Sequence, residues 1–143
     1  MSTPLLEIEN LRVSFPTPSG RVEVVKGLSF KLGRERLGIV GESGSGKSMT
    51  GRAILRLIRA PGRQSADRMV FDGINLPAQS ERAMRKLRGA RISMIMQDPK
   101  FSLNPVMTVG AQITEALERH GLRGDAARDE AARLLEAVGI PDP

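Results

Sequence analysis

The segment Gly41-Glu42-Ser43-Gly44-Ser45-Gly46-Lys47-Ser48 reads G-x-x-x-x-G-K-S, a spacing whose chemistry is phosphate binding. Gly44 and Gly46 permit backbone conformations closed to residues with a Cβ, so successive N–H groups can converge on one anion. A helix beginning near Ser48 adds its N-terminal amides and the positive end of its dipole. Lys47 contributes a full positive charge for the β- and γ-phosphates, and the Ser48 hydroxyl is placed to ligate Mg²⁺. These residues predict a nucleoside triphosphate site.

The flanking elements fit such a loop. Leu37-Gly38-Ile39-Val40 is an apolar run without alternation, which predicts a strand covered on both faces. From Ser48 to Ala60 the period is helical. Met49, Ala53, Ile54, Leu57 and Ile58 share one face, and Arg52, Arg56 and Arg59 fall on the other. Upstream, Leu6, Ile8, Leu11, Val13 and Phe15 alternate, as do Val22 and Val24 and then Leu28, Phe30 and Leu32. With the turn chemistry of Pro16 to Gly20 between them, they predict an antiparallel hairpin. Met69 to Leu76 reads as a strand, a tight Asp72-Gly73 turn and an extended exit. Ser80 to Arg88 reads as a charged helix and Ile92 to Met96 as another apolar strand. Helices near Val109–His120 and from Asp125 onward close the chain, the second stopped by Gly139 and Pro141.

Composition removes several classes of function. The 143 residues carry 22 Lys plus Arg against 16 Asp plus Glu, a formal charge of +6. Cysteine is absent and there is one histidine, His120, so thiolate metal sites, disulfides and histidine clusters are excluded. Trp and Tyr are absent and only four Phe occur, which leaves little for a base-stacking nucleic-acid platform. The basic clusters at Arg52–Arg68 and Arg82–Arg91 are read as solvated faces, beside anionic lipid headgroups at most. No nucleic-acid partner is expected. No apolar run approaches a membrane span, and the N-terminus lacks a signal-peptide core.

A phosphate loop alone leaves kinases, GTPases, motors and transport ATPases open. Here a hairpin and about forty residues precede the loop, unlike the usual small-kinase arrangement. Three stretches then carry a family resemblance: Leu11-Arg12-Val13-Ser14-Phe15, Leu37 to Ser48 (LGIVGESGSGKS) and Ile92 to Pro105 (ISMIMQDPKFSLNP). Together they resemble the ATP-binding subunits of ABC transporters, especially oligopeptide, dipeptide and nickel importers. The resemblance implies an α/β P-loop NTPase fold of the ABC ATPase type, with an antiparallel β subdomain and the start of a helical subdomain. It implies ATP and Mg²⁺ as cofactors, with nucleotide contacts along Gly41, Glu42, Ser43, Gly44, Ser45, Gly46, Lys47, Ser48 and Met49. Lys47 and Gln97 would be catalytic and Ser48 and Gln97 would face the metal, Gln97 as the Q-loop glutamine linking nucleotide to membrane subunits. Phe15 would stack on adenine, although a Phe ending an alternating strand is normally a core residue. Arg34 departs from the family, which often has Gly before Glu35; that touches a turn, not the chemistry.

The partners implied are membrane permease subunits, a second ATP-binding subunit in a head-to-tail dimer and, indirectly, a solute-binding protein. The location implied is peripheral, on the cytoplasmic face of the inner membrane. Met69-Val70-Phe71-Asp72 mimics a Walker B strand but lies too soon after the loop, and Gly73 favours a hairpin. His120 before Gly121 reads as a helix-end residue rather than the family's switch histidine. From Val106 to Pro143 no Walker B Asp, following Glu, switch His or LSGG signature occurs. The chain is therefore expected to be a partial nucleotide-binding domain, with residues 1–105 reaching the Q-loop and 106–143 opening the helical subdomain. Alone it would be non-hydrolytic. A small P-loop kinase and a non-enzymatic nucleotide-binding remnant stand as alternatives.

Overall fold

The alternation at the N-terminus breaks between Ile8 and Leu11, and the break has a structural cause. In a computed structural model, which describes residues 3–96 and 103–140, β1 (Leu6–Thr17) pairs antiparallel with β2 (Gly20–Leu32). The register slips between Ile8 and Leu11. Asn10 takes φ of 52° there, and Gly27 across from it takes 85°. The Asn10 amide donates to Ser29 Oγ at 2.8 Å and its Nδ2 to Asp67 Oδ2 at 3.0 Å. This bulge restores side-chain parity, so Leu6, Ile8, Leu11 and Val13 all point into the core.

The other edge of β1 carries β3 (Arg63–Ser65) near its C-terminal half and β4 (Arg68–Phe71) near its start, both antiparallel. β4 turns into β5 (Ile74–Asn75) through Asp72 and Gly73, both at positive φ, as the Asp-Gly pair predicts. The spatial order is β2-β1-β4-β5, with β3 beside β1. The first helix, α1 (Lys47–Ile54), packs on β1 and β2. α2 (Glu81–Leu87) is capped by Ser80 Oγ, which accepts from the Ala83 amide at 3.2 Å. Ala53 from α1 and Met84 from α2 join Ile8, Leu11, Met69 and Leu76 in one core. These elements make up a compact unit ending at Ser93.

Three expectations need correction. Leu37–Val40 is not a strand buried on both faces: it pairs with no strand among the described residues, and Val40 is 96% exposed. Ile92–Met96 is likewise not a strand, making only a single parallel bridge from Ile92 to Arg88, with Ile95 91% exposed. A parallel strand is stable only between hydrogen-bonded neighbours with both faces covered. Among the described residues the two segments find neither. The helix after the phosphate loop ends at Ile54 rather than Ala60, because the backbone turns left-handed at Arg56, φ 53°.

One buried charge is tied into this sheet. Glu7, in β1, pairs with Lys31 of β2 at 2.5 Å and with Arg68 of β4. Hydrogen bonds from Lys31 and then Arg68 hold its carboxyl below the usual carboxylate range. Its ionised form therefore stabilises the fold at neutral pH, and that contribution disappears as pH falls through the lowered folded pKa. Glu7→Gln should flatten the acid limb of a melting-temperature profile. An unchanged limb would show that the triad contributes nothing to acid sensitivity.

The second unit begins at Met94. Its α3 (Val109–Arg119) is capped by Thr108 Oγ1, accepting from the Ala111 amide at 3.2 Å, and ends at His120 as expected. Its α4 (Asp125–Ala137) packs on α3 through the buried Ala127 and Ala131. Both helices end in a Schellman arrangement. Leu122 and Ile140 amides reach back to Leu117 and Leu135 carbonyls, with Gly121 and Gly139 at positive φ.

Candidate phosphate-binding site

The loop from Gly41 to Gly46 enters α1 through a glycine N-cap. Gly46 sits at φ 92°, ψ 3°, and a Cβ there would lie 2.4 Å from the Val24 carbonyl oxygen. Only glycine satisfies both the left-handed backbone and the close approach of β2. Gly44 also has positive φ, 83°, but nothing lies within 4 Å of its Cβ position. Within the loop, the Ser45 amide donates to Glu42 O at 3.2 Å.

Lys47 folds back over this turn. Its Nζ donates to Gly41 O and Glu42 O, both at 2.6 Å, and to Ser45 Oγ at 3.3 Å. Those partial charges hold the ammonium at the loop without neutralising it, and among the described residues no carboxylate pairs with it. The N-terminus of α1 has no side-chain cap and no acid in its first turn. Among the described residues, the Gly46, Lys47 and Ser48 amides donate to no backbone carbonyl. The donor set is thus an ammonium held by neutral oxygens beside an uncapped helix start, and it suits an anion. Ser48 is exposed on that first turn, offering one oxygen to a metal that takes its other ligands from phosphate and water.

The remaining predicted residues are placed as follows. Glu42 and Ser43 are exposed on the loop. Met49 is partly buried and packs on the core. Phe15 is half buried against the core, its ring so close to Gly62 that a Cβ there would lie 2.6 Å from Cε1. Gln97 lies outside the described residues. A groove of about 510 Å³ runs between α3 and α4, lined among others by Thr108, Thr114, Arg128 and Leu135. It lies in the second unit and has no part in the phosphate loop.

The far end of α1 holds residues that the sequence did not single out for the site. Arg56 and Arg88 are not both part of a solvated basic face. Arg88, whose side chain is 19% exposed, donates Nε to Leu55 O at 2.7 Å and Nη2 to Arg56 O at 3.2 Å. It also forks onto Glu81, Nη1 to Oε1 at 2.5 Å, and holds that carboxyl below its usual range. Arg56 Nη1 donates to Leu76 O and Gln79 O, and Gln64 Nε2 to Ala53 O at 3.0 Å. No local pattern marks these arginines, because their acceptors are backbone carbonyls far away in sequence.

A glycine-hinged phosphate loop leading into a helix that bears Lys and Ser defines a P-loop nucleotide-binding protein. The sequence profile described as ABC transporter matches residues 25–143, and the chain belongs to that family. It is 49% identical over 144 residues to the oligopeptide transport ATP-binding protein OppD of Bacillus subtilis (strain 168), covering 99% of this chain and 40% of that protein. The dipeptide transport ATP-binding protein DppD of the same organism is 47% identical, covering 97% of this chain and 42% of its own length. DppD of Escherichia coli (strain K12) is 46% identical, with 97% and 43% covered. The chain thus spans about two fifths of the length of these curated relatives.

Proposed function

We propose that this chain is the nucleotide-binding portion of an ABC importer's ATP-binding subunit, one that couples MgATP to uptake of peptides or a related small solute. The observation that carries this reading is the Lys47 ammonium, paired with no carboxylate among the described residues and held at the loop that leads into the uncapped start of α1. Lys47 binds and orients the β- and γ-phosphates, the loop amides share their charge, and the Ser48 hydroxyl faces the metal. When bound, Mg²⁺ neutralises developing phosphate charge. Gln97 serves beside it as the Q-loop glutamine, and Phe15 stacks on adenine. Residues 1–105 form the nucleotide-binding part and 106–143 the opening of the helical subdomain. Partners are permease subunits and a second ATP-binding subunit arranged head to tail, with a solute-binding protein acting indirectly. The subunit works peripherally on the cytoplasmic face of the inner membrane; among the described residues no helix is long and apolar enough to cross it.

Binding is testable on the chain itself. MgATP at a hundred times Kd should add about 2.7 kcal/mol of stability, a melting shift of about 5–10 °C. With no Trp or Tyr, the readout is an external dye or calorimetry. Lys47→Ala should weaken binding about 10–100-fold, the usual worth of a charge-assisted contact, and at the same MgATP concentration remove between about half and most of the shift. A shift that survives Lys47→Ala unchanged would overturn the site. The 143 residues by themselves should show no hydrolysis above background; phosphotransfer to a small acceptor would instead identify a kinase.

A further inference from the structure

The end of α1 opposite the phosphate loop is built in an unusual way. It closes in a Schellman arrangement, the Leu57 amide donating to Arg52 O at 2.7 Å and the Arg56 amide to Ala53 O at 2.9 Å. At the left-handed position α3 and α4 carry Gly121 and Gly139, but α1 carries Arg56, at φ 53°. A non-glycine residue there is strained. Its side chain offsets that cost by bonding to Leu76 O and Gln79 O in the segment leading into α2. From the end of α2, Arg88 returns the contact, placing its guanidinium on Leu55 O and Arg56 O while Glu81 holds its other edge. Four of its five N–H donors are thereby engaged, two on the carbonyl end of the helix dipole.

We propose that Arg88, seated by Glu81, is a positioning residue for the nucleotide site, clamping the C-terminal end of the helix whose N-terminal end presents Lys47 and Ser48. This rests on the nucleotide-binding reading above. α1 has eight residues, about 12 Å of rigid rod, so play at one end displaces the other. The loop end has no side-chain cap of its own. Its direction is set by core packing through Ala53 and by the arginine clamp.

The test uses the full chain, with MgATP affinity by calorimetry and amide hydrogen exchange without nucleotide. Arg88→Gln should speed exchange at the Arg56 and Leu57 amides about tenfold while β1 and β2 stay protected, and should raise Kd for MgATP about tenfold. Arg88→Lys keeps a cation but loses the fork, and should fall between Arg88→Gln and wild type. A merely structural arginine would lower the melting temperature yet leave Kd unchanged well below it. Should Arg88→Gln not fold, Glu81→Gln leaves the guanidinium on α1 but removes the carboxylate that holds its other edge, and should raise Kd about threefold. Unchanged Kd in the folded variants, or unchanged exchange, overturns the clamp. A wild-type chain that takes up no MgATP, with exchange responding as stated, overturns the nucleotide reading and with it the positioning role.

Discussion

Gly46→Ala is expected to cost the chain about 3 kcal/mol or more and to abolish nucleotide-dependent stabilisation. Two penalties combine. An L-residue at φ 92° pays about 1–2 kcal/mol for its left-handed backbone. The new methyl also meets the Val24 carbonyl oxygen at 2.4 Å, and that neighbour is backbone of a paired strand, so it cannot swing aside. Relief requires moving either β2 or the start of α1, and the second option displaces Lys47 from Gly41 O and Glu42 O. Gly44→Ala is the control, since it carries positive φ but meets no atom within 4 Å. It should cost only the backbone penalty, about 1–2 kcal/mol. Urea unfolding of both variants, with and without MgATP, separates the two terms. Equal losses in the pair would show that the contact with β2 does not matter.

Leu11→Ala should be comparably damaging, but for stability rather than binding. Leu11 is fully buried in β1, opposite Leu28, immediately after the bulge at Asn10. Truncating it removes three carbons from a core whose other members come from β1, β2, β4, α1, α2 and Leu76. Such changes cost about 2–5 kcal/mol, against a typical total of about 5–15 kcal/mol. The melting temperature should fall by about 4–20 °C. Val22→Ala, in the same hairpin but 49% exposed, should stay within about 1 kcal/mol. If both truncations cost the same, the hairpin's inner face is not the core.

How much of this could be read in advance depended on the range of the interactions involved. The phosphate loop was legible because its glycines, lysine and serine lie within eight residues and act through local backbone geometry. The Asp72-Gly73 turn and the Gly139 helix stop were legible for the same reason. The break in alternation between Ile8 and Leu11 was visible, yet its meaning as a bulge came only with the register shift of β1 against β2, where Asn10 and Gly27 both take positive φ. Leu37–Val40 carried the pattern of a buried strand, but strand status belongs to a pair of segments rather than to one. With no pairing neighbour among the described residues it is irregular and exposed.

The arginines show the limit most clearly. Periodicity assigned Arg56 to a polar helix face and put Arg88 in a basic surface run. The fold turns both inward onto carbonyls, those under Arg88 being 33 and 32 residues away. Guanidinium groups look alike in a sequence, and their roles are set by which unsatisfied backbone oxygens the tertiary structure brings within reach. By itself, then, the sequence determined that this chain has a phosphate-binding loop, because eight neighbouring residues specify it through their own backbone freedom and charge. The tertiary structure alone decided which glycine cannot be replaced and what holds the far end of the helix behind the loop. Both answers depend on close contacts between segments that only folding brings together.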